Sequence, residues 1–234
     1  MQLALLSLKE SVQMLIHMSG VTIDAEASAE LMKISELCCR LPLTIGIAAG
    51  MLASFGSNWK GNVLEMLEED LGASMADESE TGMGPAEAIV ARSVKVLDSD
   101  TVALFSMLGI VPEDTPCPVP VAALVWASLQ KNENKKGKRL SLKIHKMIRN
   151  LIKYNLCLGS LDFGIFYHDI VRDVARSSIG NAEDIRRHQR HFVEAAISAY
   201  DQSDQYVKDY MTLALPAHMA EAFLPASSAD ELLR

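Results

Sequence analysis

The sequence has no excess of positive charge and few aromatic side chains. Its 234 residues include 22 Lys and Arg against 30 Asp and Glu, a formal net charge of −8, and 6% aromatics. This balance argues against a generally basic nucleic-acid-binding protein, because contact with phosphates needs concentrated Lys and Arg. The charges are segregated, since residues 61–91 hold eight acidic residues and no basic one, whereas residues 131–153 hold nine basic residues and one Glu. We expect both blocks to be solvated faces.

Cysteine is also scarce, and the cysteines show no pairing pattern. The four are Cys38, Cys39, Cys117 and Cys157, without a C-x-x-C spacing and too few for a disulfide framework. We expect them to be small core residues of a cytoplasmic protein.

Segments that direct a chain into or across a membrane are missing. Residues 1–8 contain neither the basic region nor the cleavage site of a signal peptide. The longest apolar run, residues 41–55, is shorter than the roughly 20 residues of a membrane-spanning helix, and it has Pro42 near its start. We therefore expect no membrane association.

Motifs for phosphate chemistry and for nucleophilic catalysis are absent as well. The sequence has no G-x-x-x-x-G-K-[ST], and its only Gly-Lys pair, Gly137-Lys138, lies in a basic segment. No apolar run ends in the acidic pair of a magnesium-positioning strand, and no serine sits in a G-x-S-x-G elbow. Because ATP hydrolysis depends on positioned phosphates and a metal, we expect this chain not to be an enzyme and to hold no magnesium.

One set of side chains has the spacing of metal ligands. His188, His191 and Glu194 follow each other at i, i+3 and i+6, on one side of a predicted helix. Arginines at positions 186, 187 and 190 surround them with positive charge. We therefore predict no metal site.

Apolar residues make up 49% of the chain and recur at helical spacing along most of it. After a weakly alternating run at residues 2–7, predicted as a strand, we predict helices over residues 8–18 and from about residue 24 to Pro42. A nearly all-apolar helix starts just after Pro42, whose ring removes an N–H and fixes φ. Residues 59–71 form a further helix, and residues 72–85, rich in Gly, Ser, Asp and Glu, are predicted as a linker.

The second half contains four more predicted helices before a hairpin. They cover residues 86–97, 100–108, 121–129 and 140–155, and the apolar runs 156–158 and 164–167 then flank the glycines of a turn. Three helices followed by a hairpin describe a winged helix. Residues 182–200 and 205–213 are also predicted to be helical. The predicted fold is mainly α, with a helical-bundle subdomain, a winged-helix subdomain and a C-terminal helical segment.

The junction between the hairpin and the next helix carries the strongest chemical signal. An apolar run ends at Tyr167, and His168 and Asp169 then open an amphipathic helix. Free backbone N–H groups and the positive end of the helix dipole favour an anion there. One interpretation is a phosphate-reading site, and the other is that Asp169 caps the helix and His168 packs beneath it.

The order of these parts resembles the C-terminal half of an NB-ARC module, the nucleotide switch of signal-transducing ATPases related to apoptotic-protease-activating factor and plant disease-resistance proteins. The resemblance covers residues 1–178. It rests on Cys38-Cys39-Arg40-Leu41-Pro42-Leu43-Thr44-Ile45, on residues 105–114, on the basic helix and on Tyr167-His168-Asp169, in that order. It implies a signalling or defence function.

The resemblance implies roles for three residues. Pro42 matches the proline of the family's Gly-Leu-Pro corner, which lies against the adenine, although Arg40 stands where the family usually has Gly. His168 and Asp169 match the His-Asp of the Met-His-Asp motif, whose histidine contacts the β-phosphate of ADP and so locks the closed form. Tyr167 replaces the Met. The expected ligand is ADP or ATP, bound only together with the α/β half that carries the phosphate loop.

The resemblance also implies the partners of the chain and the boundaries of its domains. The phosphate-binding half would lie before residue 1, so the partner is that half or the full-length protein, and activation would bring self-association. The expected division is residues 1–71 as the end of the nucleotide core and the helical subdomain, 72–85 as the linker, 86–178 as the winged helix, and 179–234 as a segment before a repeat or sensor region.

Two other functions stay open. A nucleic-acid-binding winged helix could use Lys138, Arg139, Lys143, Lys146 and Arg149 on phosphates, although the acidic remainder of the chain repels DNA. A helical protein-interaction scaffold would need no ligand at all.

Overall fold

A computed structural model of the chain describes residues 5–22, 24–76, 84–129 and 138–223. Within those residues it contains eleven α-helices, two short 3-10 helices and two short strands. The prediction of a mainly helical protein is therefore confirmed. Contacts divide the chain into two compact units, Met1–Asp98 with Lys153–Leu156, and Ser99–Ile152 with Cys157–Arg234.

The first unit is built from five helices. They are α1 (Leu8–Ser19), α2 (Ala25–Leu37), α3 (Pro42–Phe55), α4 (Asn62–Ala76) and α5 (Pro85–Lys95). The first helix begins at a Ser7 capping box and ends at Gly20 in the left-handed conformation. Residues 5–7 form no strand, and the rest of the predicted strand at 2–7 lies outside the described residues. That prediction fails for residues 5–7 because Ser7 is used as a helix cap.

The apolar helix α3 forms the centre of this unit and packs on α1 and α5. Pro42 occupies its first position, where the missing N–H has no helical partner to lose. Two of its glycines allow close contact with the segment that follows residue 152. A Cβ at Gly50 would lie 2.7 Å from the Tyr154 Cα, and Asn155 Nδ2 donates to the Gly46 carbonyl at 2.8 Å. These glycines therefore serve close packing within the first unit.

The predicted linker at 72–85 overlaps a helix. Residues 72–76 continue α4, and residues 77–83 lie outside the described part. Helix α5 then packs on α3 and α4, and Arg92 contacts Glu69 at 3.2 Å. Contacts across this stretch therefore keep α5 in the first unit, and the division between the units, at Asp98 and Ser99, does not coincide with the predicted boundaries.

The second unit contains six helices and a hairpin. The helices are α6 (Ser99–Leu108), α7 (Val119–Leu129), α8 (Lys138–Lys153, of which Lys153 belongs to the first unit), α9 (Asp169–Ser177), α10 (Ala182–Ala199) and α11 (Gln205–Phe223). Helix α8 buries Ile144, Ile148 and Leu151, whereas Leu142 is exposed. Residues 179–223 pack in the same unit as the hairpin, because α10 and α11 contact each other and α7.

The hairpin pairs β1 (Leu158–Ser160) with β2 (Gly164–Phe166) in antiparallel register, with Gly159 opposite Ile165. Gly159 and Gly164 both have φ of +94°, which the turn requires. Cys117 adds a bridge on the far side of β2, since its N–H donates to the Ile165 carbonyl at 2.7 Å and its carbonyl accepts from the Ile165 N–H at 3.0 Å. The predicted hairpin is present, and it extends to a third chain segment.

The cysteines follow the prediction with one exception. Cys38, Cys117 and Cys157 are buried, and burial raises the pKa of Cys38 and Cys157 to about 12. Cys39 is exposed, because its backbone turns into the left-handed region at φ 50°. None of the described helices is both long enough and apolar enough to cross a membrane.

Candidate functional site

The start of α9 places a histidine at the position from which a helix cap acts. His168 is the N-cap residue, with φ −67° and ψ 147°, and Asp169 is the first helical residue. Both side chains are exposed. Among the described residues, no side chain makes a cap hydrogen bond at this helix start. The interpretation in which Asp169 caps the helix over a packed His168 is therefore wrong: the helix begins at Asp169, one residue earlier than a cap at Asp169 requires.

Open N–H groups at this helix start give it the character of an anion site. The first N–H groups of a helix have no partner within the helix, and the helix dipole places partial positive charge beside them. An exposed imidazole at the N-cap adds a donor on the same side. The arrangement can receive a phosphate or a carboxylate in the plane of the helix end.

The tyrosine before His168 anchors the strand side of this junction. The Tyr167 hydroxyl donates to the Phe105 carbonyl at 3.0 Å, and the two rings pack with centroids 5.3 Å apart. Burial raises the pKa of Tyr167 well above its ordinary value, so the hydroxyl keeps its proton. Tyr167 thus supplies a fixed hydrogen bond directly before His168.

Two arginines anchor the helical side. Arg172 donates to the Val111 carbonyl and to Glu113, each at 2.8 Å. Arg176 donates to the Gly109 carbonyl at 3.3 Å and forms an ion pair with Glu221. Burial and the neighbouring Arg176 lower the pKa of the Arg172 guanidinium. The sequence reading missed Arg172 and Arg176; a clue was available in their spacing of four residues, which puts them on one side of α9.

Pro42 lies at the other predicted site, in the first unit. It is exposed at the first position of α3, and Leu41 precedes it as an N-cap with φ −82° and ψ 132°. The buried Thr44 hydroxyl donates to the carbonyls of Cys38, at 2.6 Å, and of Leu41, at 3.0 Å, and so fixes the corner. The structure brings His168 and Asp169 together in the second unit, whereas Pro42 belongs to the first.

The residue two positions before Pro42 has an unusual backbone. Arg40 has φ 55° and Cys39 has φ 50°, both in the left-handed region that favours glycine. The Arg40 carbonyl accepts from the Leu6 N–H at 3.3 Å, and its N–H donates to the Ser35 carbonyl at 3.1 Å. These bonds hold a strained turn directly before the proline corner.

The basic helix offers fewer free cations than its sequence suggests. Lys143 pairs with Asp100 at 3.0 Å and lies over the Trp126 ring, 4.6 Å from its centroid. Lys146 and Arg149 are exposed, whereas the side chains of Lys138 and Arg139 lie outside the described part. Of the five predicted phosphate contacts, the structure thus shows two as exposed and one as engaged within the unit.

The histidines of α10 are not arranged around a metal. His188 Nδ1 bonds to the Asp184 carbonyl at 2.7 Å, one turn back along its own helix. Where the structure describes the chain, no group of three or more His, Cys, Asp or Glu side chains could hold a metal ion.

Comparison with known proteins adds no relative to this picture. No family model matches the sequence, and no curated protein matches it.

Proposed function

We propose that the chain is part of an NB-ARC-type nucleotide switch in a signalling or defence protein, in which His168 reads the β-phosphate of ADP. The observation that carries the proposal is the exposed His168 at the uncapped start of α9. A phosphate there can accept from the helix N–H groups and from the imidazole together. The chain supplies this contact and the proline at the adenine side, and it relies on another segment for the phosphate loop.

The order of elements supports a winged helix as the frame of this site. Helices α6, α7 and α8 precede the hairpin, and the Cys117 bridge gives the hairpin a third strand position between α6 and α7. Helix α9 then leaves the hairpin through Tyr167. This is the arrangement in which the family's histidine follows the wing.

The backbone at Arg40 also supports the resemblance. The family usually has Gly two residues before the proline, and Arg40 adopts the left-handed conformation that suits Gly. This conformation is compatible with Arg40 standing at the Gly position of a Gly-Leu-Pro corner.

The proposal predicts that ADP affinity depends on His168. Isothermal titration measures ADP binding to this chain and to a longer chain that adds the sequence encoded upstream of Met1. We expect binding to the longer chain, weakened about 5- to 150-fold by His168→Ala, the range of typical couplings. His191→Ala, on α10, is the matched control and should leave the affinity unchanged. Equal ADP binding with and without His168, or no binding to the longer chain, would contradict the proposal.

A nucleic-acid-binding winged helix is the second candidate, favoured by the exposed Lys146 and Arg149 on α8. The helix before the wing can enter a major groove, and these two cations lie one turn apart. Titration of a short DNA duplex at several salt concentrations separates the candidates. Binding that weakens steeply with salt, with a slope reduced by about 1 for each of Lys146→Ala and Arg149→Ala, would favour nucleic acid. Absence of binding at every salt concentration would remove this candidate.

A further inference from the structure

We propose that Arg176, Gln189 and Glu221 are positioning residues that couple α9 to the C-terminal helices α10 and α11. Loss of the contacts to α11 then increases the motion of the start of α9, where His168 lies. This inference rests on the proposed function for its consequence at the nucleotide. The coupling itself is carried by hydrogen bonds within the second unit and can be tested without nucleotide.

The coupling begins at the turn after α6. The three residues that follow this helix, Gly109, Ile110 and Val111, each present a carbonyl to a side chain of α9 or α10. Arg176 donates to Gly109, Gln189 to Ile110 at 2.9 Å, and Arg172 to Val111. A Cβ at Gly109 would lie 2.9 Å from the Arg176 backbone nitrogen, so the two segments are also in direct contact. Side chains of both α9 and α10 are therefore hydrogen-bonded to this turn, residues 109–111.

Glu221 links α11 to two of the side chains that bond to this turn. One carboxylate oxygen pairs with Arg176 of α9, and the other accepts from the Gln189 amide of α10. Gln189 is fully buried, and the side chains of Arg176 and Glu221 are only 19% and 28% exposed. A charged pair with so little solvent is strongly dependent on both partners being in place. Glu221 of α11 is thus bonded to both α9 and α10.

Behind Gln189 the bonds continue to a buried histidine. The Gln189 amide nitrogen donates to two acceptors, which fixes its oxygen as the acceptor from His218 Nδ1, 2.6 Å away. His218 Nε2 then accepts from the Tyr210 hydroxyl at 2.7 Å. Each N–H or O–H donor of Gln189, His218 and Tyr210 has one acceptor. Rotating any of these side chains would therefore leave a buried polar group without a hydrogen bond.

The geometry of α9 carries a change at this cluster to the candidate site. Arg172 and Arg176 are one and two turns after His168, and the helix has nine residues, from Asp169 to Ser177. A helix this short moves as one body when one of its anchors is lost. Without its pairing to Glu221, Arg176 keeps only its 3.3 Å bond to the Gly109 carbonyl, beside the bonds of Tyr167 and Arg172 to α6 and its turn. Loosening Glu221 should therefore increase the motion of the start of α9.

Hydrogen exchange of backbone amides tests the coupling in the chain as it exists. Glu221→Gln removes the charge that faces Arg176 while keeping the shape of the side chain. We expect exchange of the amides of residues 172–177 to quicken about tenfold, within the usual range of coupling factors, while amides of α1 and of α3 change less than twofold. Glu194→Gln removes an exposed charge of α10 and is the matched control, expected to change neither region.

A second background separates coupling from general loss of stability. The Arg176→Met substitution already removes the partner of Glu221 on α9. Adding Glu221→Gln to this variant should therefore quicken amide exchange in α9 by less than twofold more. Unchanged exchange in α9 on Glu221→Gln would overturn the inference. An equal increase in every helix of the second unit, or additive effects of the two substitutions, would also overturn it.

The ADP titration then distinguishes the two proposals. If exchange in α9 responds to Glu221 but ADP affinity never depends on His168, the coupling holds and the proposed function fails. If ADP affinity depends on His168 while exchange in α9 ignores Glu221, the proposed function holds and the coupling fails.

Discussion

Two histidines of the second unit have opposite surroundings. His168 is exposed at the start of α9, and within the described residues no hydrogen bond engages its ring. His218 is fully buried in α11, and both of its ring nitrogens are hydrogen-bonded, one to Gln189 and one to Tyr210. The first ring is available to a ligand, and the second has no bonding capacity left. Exposure with open backbone donors marks the candidate site, whereas a complete set of internal bonds marks a stabilising core.

The largest expected effect of a substitution at either histidine is on the free energy of unfolding, at His218. His218→Ala leaves the Tyr210 hydroxyl and the Gln189 amide oxygen buried without their partner and opens a cavity, which together should lower the free energy of unfolding by about 3 kcal/mol. Urea denaturation followed by circular dichroism measures this change. His191→Ala on α10 is the control and should stay within about 0.5 kcal/mol of the native chain. A loss below about 1 kcal/mol for His218→Ala would contradict the assigned bonds.

The surroundings of His218 also predict a pH dependence. Burial, reinforced by the positive charge of Arg172, lowers the pKa of His218 to about 3 from the ordinary 6.5. The unfolded chain therefore binds a proton at this position between pH 6.5 and 3 that the folded chain does not bind, so stability falls as the pH falls through this range. The slope from this residue is about 1.4 kcal/mol per pH unit, or about 2 kcal/mol between pH 6.5 and 5.

Comparing denaturation curves at several pH values tests this sign. The difference in unfolding free energy between the native chain and His218→Ala should shrink steadily from pH 6.5 to pH 5, because only the native chain carries the penalty. A difference that stays constant over this range would mean that His218 titrates normally in the folded chain.

Local patterns in the sequence predicted the elements around the candidate site. The proline corner at Pro42 and the glycine turn of the hairpin depend on neighbouring residues, so they can be predicted from short segments. The helix start at His168 was placed within one residue for the same reason. The sequence pattern of a cap cannot separate adjacent polar residues. One of the two interpretations therefore placed the cap at Asp169, although the N-cap residue is His168.

The anchors of the site could not be predicted in this way. Tyr167 reaches Phe105 across 62 positions, and Arg176 reaches Glu221 across 45. Such pairs depend on how whole helices pack, and no local period marks them. The same holds for His218, which lies two residues after a proline inside α11, a position where the sequence alone favours a break over a buried network.

The smallest expected effect concerns the uncapped helix start and has the opposite sign. His168 has the extended backbone of an N-cap but lacks a short oxygen-bearing side chain, so His168→Ser should let a hydroxyl accept from the free N–H groups and stabilise the chain by about 0.5–1 kcal/mol. Asn181, which caps α10 through the N–H groups of Glu183 and Asp184, is the matched reference, and Asn181→Ala should lower stability by about 1 kcal/mol. If His168 serves a phosphate, the same Ser variant should bind ADP more weakly in the longer chain, because a filled cap competes with the ligand for the helix N–H groups and the imidazole donor is lost. A more stable variant with unchanged ADP affinity would mean that this helix start is merely an unoptimised cap, and an unchanged stability would mean that its N–H groups are already satisfied.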